Sequence, residues 1–279
     1  MTPPAEQWTD VVGVVAVAAL GAAYGRGVHE LWARRGHGAV VPSWRAGAFV
    51  LGLAIVLVAQ QGPVHDAAER SLAGHMAQHM LLMLGAAPLL AAGCAGLPVT
   101  LATPRPLRQV THRVRTSAPA RWLRRPLTAA LVAAGVHTVV LWAWHLPLPY
   151  EWAEASAPVH AVEHASMVGA AWLLWAGVVA PASRRLSPPI GLLMLFAAGM
   201  PAAALGAVLT FAPEPIYDVP SGPRALADQQ LAGLVMWIPM DVLMLVAAVV
   251  LFLGWLADLE RRSPAGRDLR PGLPEEVPT

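Results

Sequence analysis

The sequence predicts an all-α polytopic membrane protein, a bundle of seven transmembrane helices. Its 279 residues are 56% hydrophobic and only 13% charged, whereas soluble domains carry about 25% charged residues. Apolar runs that reach the ~20 residues needed to cross a bilayer recur along the chain. We interpret residues 1–262 as one integral membrane domain, because no other stretch is long enough to fold as a second domain.

Seven apolar runs define the predicted spans. They cover residues 10–25, 45–62, 73–93, 127–145, 160–179, 189–211 and 229–256. The Pro- and Arg-rich segment 104–126 is expected to lie along the anionic inner leaflet, which makes membrane lipids predicted partners. The tail, residues 263–279, is rich in Pro, Gly and charged residues and is expected to be a disordered cytoplasmic segment.

The positions of the basic residues predict the orientation of the bundle. The chain has 19 basic residues, all of them arginine. All but Arg70 and Arg224 fall on one side of the membrane, which the positive-inside rule identifies as cytoplasmic. The N-terminus is then outside and the C-terminus cytoplasmic. Because topology explains the basic pI, nucleic-acid binding is not expected.

Two histidine pairs stand at the starts of two predicted spans. His75 and His79 open the third span, and His160 and His164 open the fifth. Residues four apart share one helix face, with Cβ atoms roughly 5–6 Å apart, and the topology puts both pairs at the outer surface. Polar groups within spans are costly and usually face a cavity or a ligand. The four imidazoles therefore predict a metal or haem site, and interfacial histidines bonded to loop carbonyls are the alternative.

Glu163 lies between the two histidines of the fifth span. It could accept a proton from a ligating imidazole or bind a metal itself. The pattern formed by His160, Glu163 and His164 also matches H-x-x-E-H, the inverted zinc-protease motif. A protease needs a third ligand and an open zinc position, for which Asp228 and Asp241 are candidates without a recognisable motif.

Further histidines extend the predicted outer site. His65 belongs to an acidic outer loop that would attract cations, and His145 ends the fourth span. His137 is eight residues deeper, about 12 Å into the membrane at 1.5 Å per residue. It is either a ligand or a core histidine bonded to a neighbouring helix.

Methionines accompany two of these spans. Met76, Met80 and Met83 follow the first histidine pair at helical spacing. Imidazole suits Cu, Zn and Fe, and thioether adds a preference for Cu(I), although methionines alone also fit ordinary core packing.

Asp241 lies within the seventh span, near Met240 and Met244. These side chains indicate a second position at which a cation could bind on its way through the protein. A neutral aspartic acid bonded to the carbonyl that Pro239 frees is the alternative.

Two blocks of the chain resemble the signatures of a known family. The first is Ser-Leu-Ala-Gly-His-Met-Ala-Gln-His-Met-Leu-Leu-Met at residues 71–83, which runs on to Ala87-Pro88-Leu89-Leu90. The second begins with Trp144-His145-Leu146-Pro147 and continues through residues 160–166, His-Ala-Val-Glu-His-Ala-Ser. Both blocks look like those of the multi-span CtaG family of cytochrome c oxidase assembly factors, and the likeness covers most of spans two to seven.

The resemblance implies a non-enzymatic factor of the bacterial plasma membrane that handles or delivers copper, as Cu(I), for the metal centres of cytochrome c oxidase. It also implies that the partners are oxidase subunits and extracytoplasmic copper chaperones. The positions that match the family's blocks are His65, His75, His79, His145, His160, Glu163 and His164. Two alternatives stay open: a membrane electron carrier with bis-histidine haem b, and an intramembrane zinc protease that uses Glu163.

Overall fold

The computed structural model describes residues 4–179, 185–217 and 222–262, and every regular element in those ranges is helical. The α-helices of the described ranges are α1 Pro4–Arg35, α2 Ser43–Ala59, α3 Gly62–Arg70, α4 Leu72–Met80, α5 Ala87–Ala92, α6 Gly96–Ala102, α7 Arg105–Thr116, α8 Ala118–Leu123, α9 Pro126–Trp144, α10 Pro147–Ala155, α11 Ala157–Val179, α12 Pro188–Phe211 and α13 Ala225–Arg262. A π-helical segment, Leu81–Ala86, joins α4 to α5. The predicted disordered tail, 263–279, lies outside the described residues.

Within the described ranges, six helical segments are long and apolar enough to cross a membrane. They are Val11–Arg35, Leu72–Ala92, Pro126–Trp144, Ala157–Val179, Pro188–Phe211 and Ala225–Arg261. The predicted span 45–62 corresponds to α2, which has 17 residues and continues into α3 through a bend of 46°. Counting that bent pair as one span gives seven. The predicted all-helical membrane architecture is confirmed, whereas the seven-span count and the orientation stay predictions.

Several connections between the predicted spans are helical. The connections that follow α2 and α9 form α3 and α10, and the Pro- and Arg-rich segment forms α7 and α8. No residue of α7 is buried, and its exposed Leu107, Val110 and Val114 repeat at helical spacing. That spacing is typical of an amphipathic helix at a membrane surface.

The bundle has two chemically different ends. We call the end where α4 and α11 begin the histidine end, and the end where α1 finishes and α2 begins the arginine end. At the arginine end, the Arg45 guanidinium donates to the Ala92 carbonyl over 2.7 Å, and the Tyr24 hydroxyl donates to the Gly93 carbonyl over 2.9 Å. These bonds tie α1 and α2 to the C-terminus of α5.

Small residues let the helices of the main core approach closely. Ala87, Ala171, Ala198 and Ala232 are fully buried between helices. At Gly206 an added Cβ would lie 2.5 Å from the Cβ of Trp237, so α12 and α13 pack here at a distance that only glycine permits. Apolar side chains between helices gain little in lipid, and close packing of small residues is the usual way that membrane helices associate.

The π-helical segment lies within the span Leu72–Ala92 and ends two residues before Pro88. Proline has no N–H for the helical ladder, and a widened π turn is a frequent feature of functional sites. The carbonyl of Met83, within this turn, accepts a hydrogen bond from Trp175 Nε1 over 3.2 Å. The helices before and after the π-helical segment have different neighbours: α4 packs mainly on α13, and α5 packs mainly on α11.

Candidate metal centre

Four imidazoles from two helices face one another at the histidine end. Within each helix the ring centroids are 4.3 Å apart for His75 and His79 and 4.2 Å apart for His160 and His164. Between the helices, the separation is 5.5 Å from His75 to His160 and 5.2 Å from His79 to His164. The i,i+4 spacing therefore places each pair on the face of its helix that meets the other pair.

The carboxylate of Glu163 lies at the centre of these rings. Its side chain is 0% exposed. One oxygen, Oε1, is 3.6 Å from His79 Nε2 and 3.9 Å from His75 Nε2, while Oε2 is 3.9 Å from His160 Nε2. Glu163 thus connects the histidine pair of α4 with the pair of its own helix, α11.

Glu154 of α10 is a second carboxylate of the site, and no spacing pattern in the sequence indicates it. Its Oε1 is 3.2 Å from His75 Nδ1, and its side chain is 38% exposed. Burial alone would raise the pKa of Glu154, but the hydrogen bond with His75 and the neighbouring imidazoles outweigh that effect and lower it. Glu154 therefore adds a negative charge at the rim of the cluster.

Most buried polar atoms of the cluster lack a hydrogen-bond partner among the described residues. Seven such atoms are His75 Nε2, His79 Nδ1, His79 Nε2, His160 Nε2, His164 Nε2, Glu163 Oε1 and Glu163 Oε2. More than nine in ten buried polar groups in folded proteins have a partner, and each orphan costs about 1–3 kcal/mol. A concentration of orphans at one point is explained by a ligand that binds them.

The spacing of these atoms suits a metal ion. Within the described part of the chain, three groups each have ligand atoms within 4.8 Å of one another: His75 with His79 and Glu163, His75 with Glu154 and His160, and His160 with Glu163 and His164. The groups share members, so they form one continuous cluster. Imidazole and carboxylate ligands of this kind suit copper, zinc and iron.

His145 joins the cluster from the C-terminus of α9. Its ring centroid is 5.9 Å from that of His79. Its Nδ1 is 2.6 Å from the carbonyl oxygen of Leu141, and its Nε2 is 3.2 Å from the sulfur of Met76. The Tyr217 hydroxyl donates to the backbone carbonyl of His145 over 2.6 Å, which fixes the end of α9.

Asp228 positions the helix that carries the first histidine pair. Its carboxylate accepts from the backbone N–H groups of Leu72 over 2.8 Å and Ala73 over 3.2 Å, while Ser71 caps the same helix by accepting from Gly74 N. A carboxylate at a helix N-terminus also complements the helix dipole. The Asp228 carboxylate thus binds the N-terminus of α4. It does not join His160, Glu163 and His164 as the third ligand that a protease would need.

Gly74 allows α3 and α4 to meet immediately before His75. A Cβ at this position would lie 2.1 Å from the carbonyl oxygen of Ala67, far inside any contact that a side chain tolerates. The sharp junction between the two helices, and with it the placing of His75, therefore depends on glycine.

A cavity of about 300 Å³ leads to the cluster from the histidine end. Its walls include His75, Glu154, His160 and His164, together with acidic residues of α3, and Thr9 and Gly13 from α1. His65 lies at the mouth of this cavity. Its ring centroid is 6.4 Å from that of His160, and its Nε2 is 3.3 Å from Glu69 Oε1. The structure thus puts His65 at the approach and not within the cluster.

The other predicted positions lie apart from the cluster. His137 is buried deeper on α9, and its Nε2 has no hydrogen-bond partner in the described ranges. Met240 and Met244 are buried in the main core of the bundle. Asp241 is half-buried on α13 and belongs to none of the metal-compatible groups found in the described residues.

The fold and the site define a class: a multi-span helical membrane protein whose helix ends enclose a histidine–glutamate cluster. The family model described as "Cytochrome c oxidase caa3 assembly factor" matches residues 22–258. The chain belongs to this family, Caa3_CtaG, and is therefore a membrane-bound cytochrome c oxidase assembly factor, as the sequence blocks predicted. No curated protein and no solved structure matches it at a significant level.

Proposed function

We propose that this assembly factor binds copper in the histidine–glutamate cluster and passes it on for the metal centres of the oxidase. Copper is cargo in this proposal, and the chain carries out no catalytic step. The observation that supports it most is the set of seven partnerless imidazole and carboxylate atoms, which a bound ion would satisfy.

The charge and exposure of the residues at the cavity mouth support the entry and release of an ion. Three carboxylates, Asp66, Glu69 and Glu154, line the cavity beside the histidines. Negative charge in a cleft with low-dielectric walls raises the local concentration of cations. His160 is only partly buried, with a side chain 20% exposed, so it is the imidazole of the cluster best placed to exchange an ion with a donor or acceptor protein.

Copper content after purification from native membranes tests the proposal. We expect stoichiometric copper in the wild type and its loss in the double variant His75→Ala/His79→Ala. The matched control is His29→Ala/His112→Ala, which removes two exposed histidines outside the cluster. Copper retained in the first variant, or lost equally in the control, contradicts the proposal.

Zinc is the competing ion, because His160, Glu163 and His164 form a metal-compatible group by themselves. A zinc protease would keep zinc but lose proteolysis when Glu163 is changed to Gln, since that residue would act as the general base. In the copper proposal Glu163 contacts the ion, so Glu163→Gln weakens binding itself. The same metal analysis, with the zinc content measured alongside, separates the two.

A haem site is disfavoured by the packing of the cluster. The fully buried Glu163 carboxylate lies within 3.9 Å of imidazoles from both helices, in the space that a macrocycle between them would occupy. A Soret band that tracks with the protein during purification would nevertheless establish the bis-histidine haem alternative, and a preparation that contains copper without such a band would exclude it.

A further inference from the structure

One contact beside the cluster joins two atoms that both act as electron-pair donors. His145 Nε2 lies 3.2 Å from Met76 Sδ. The His145 ring is buried, and Met76 is 0% exposed. The contact links the C-terminus of α9 to α4 inside the protein, next to His79.

The partner of the other ring nitrogen decides where the imidazole proton is. His145 Nδ1 is 2.6 Å from the carbonyl oxygen of Leu141, and a carbonyl can only accept a hydrogen bond. Nδ1 therefore carries the proton. A second proton on Nε2 would create a buried cation whose only partner at that nitrogen is a thioether, a weak acceptor, and burying such a charge is costly.

His145 Nε2 thus presents its lone pair to the sulfur of Met76, with no hydrogen between them. Two facing lone pairs stabilise nothing by themselves, whereas one soft ion can bind both. Thioether ligands favour Cu(I), while carboxylates suit harder ions. The pair therefore differs in chemistry from the histidine–glutamate cluster, although it lies beside it.

We infer that His145 and Met76 form a second metal site, selective for a soft monovalent ion such as Cu(I). The inference rests on the proposed function, because the histidine–glutamate cluster would receive the ion first. His79 connects the two sites: its ring centroid is 5.2 Å from that of His164 and 5.9 Å from that of His145, and neither of its nitrogens has a hydrogen-bond partner among the residues that the structure describes. An ion could therefore move from the carboxylate-containing cluster to the sulfur-containing pair by exchanging ligands around His79.

Titration of the full-length protein with Ag(I), a soft monovalent probe, tests the second site, and titration with Zn(II) reports on the cluster. We expect Met76→Leu to weaken Ag(I) binding by roughly tenfold or more, a typical effect of disturbing a metal site, and to leave Zn(II) binding unchanged. Met194→Leu is the matched control, since Met194 is equally buried but contacts Gly177 of α11. This control should behave as the wild type with both ions.

A further variant separates this inference from the proposed function. Glu163→Gln should weaken Zn(II) and copper binding at the cluster and leave the effect of Met76→Leu on Ag(I) intact. If Met76→Leu binds Ag(I) as tightly as the wild type, the second site is refuted, and copper loss in the cluster variants still supports the proposed function. If Met194→Leu weakens Ag(I) binding as much as Met76→Leu, the effect is general to buried methionines and the inference also fails.

Discussion

Among the described residues, polar side chains at the arginine end of the bundle have partners or face solvent, whereas at the histidine end a group of buried imidazole and carboxylate atoms has no hydrogen-bond partner. Arg45 bonds both the Ala92 carbonyl and the sulfur of Cys94 at 3.1 Å, and His37 bonds Ser43 at 2.9 Å. The histidine end instead collects seven orphaned atoms around Glu163. Polar groups that satisfy one another serve structure, and polar groups left unsatisfied together indicate a ligand.

The largest expected effect on copper affinity is that of changing Glu163, at the histidine end. Glu163→Gln should lower copper affinity by roughly 100-fold, the upper range for disturbed metal sites, because it removes the charge that faces imidazoles of both helices. In the metal-free protein the same change should raise the melting temperature, since a buried charge costs more than a buried amide. Copper titration and thermal unfolding with and without a chelator measure both effects, and a fall in the metal-free melting temperature would contradict the account.

Gly74→Ala is expected to destabilise the protein by about 3 kcal/mol, the upper end for overpacking. The new Cβ would collide with the Ala67 carbonyl and push α4 and its histidines out of place, so copper affinity should fall as well. The control is Gly135→Ala in α9, where a Cβ meets nothing within 4 Å and alanine should stabilise the helix by about 0.5–1 kcal/mol. Equal effects of the two variants on unfolding in detergent would show that Gly74 has no special role.

Asp228→Ala removes the carboxylate that binds the N-terminus of α4. We expect a loss of about 2 kcal/mol, as for hydrogen bonds to a charged group. Copper affinity should fall several-fold without changing the number of copper ions bound, because Asp228 orients the helix and does not touch the ion. Loss of a whole copper equivalent in this variant would instead make Asp228 a ligand.

Arg45→Ala gives the smallest expected effect and probes the other end of the bundle. Losing the bond to Ala92 should cost about 1.5 kcal/mol, the lower end for hydrogen bonds to a charged group, and copper affinity should stay at the wild-type value. A copper affinity changed by more than about twofold would mean that the two ends are coupled and that the comparison between them is too simple.

The sequence predicted the cluster better than the elements around it. Helical spacing alone put His75 and His79 on one face, His160 and His164 on another, and topology placed both at one end, which is where the structure brings them together. Glu163 was found for the same reason, because it lies within a regular helix.

Glu154 and Asp228 were not predicted in the roles that the structure gives them. Glu154 comes from a connection between spans, and Asp228 from the first turn of α13, just before the predicted seventh span. Hydrophobic periodicity carries no signal at either place, and their partners lie far along the chain: His75 for Glu154 and Leu72 for Asp228. The contact between His145 and Met76 depends on the angle between α9 and α4, which tertiary packing sets.

A double-mutant cycle between the two helices tests the central claim most directly. The claim is that His75 of α4 and His160 of α11, which belong to one metal-compatible group, hold the same ion. Copper affinity is measured for the wild type, His75→Ala, His160→Ala and the double variant. A shared ion predicts that the two losses depart from additivity by at least 0.5 kcal/mol, as for residues in one network. Losses that add within that limit would show that the two helices do not share an ion, and would contradict the account.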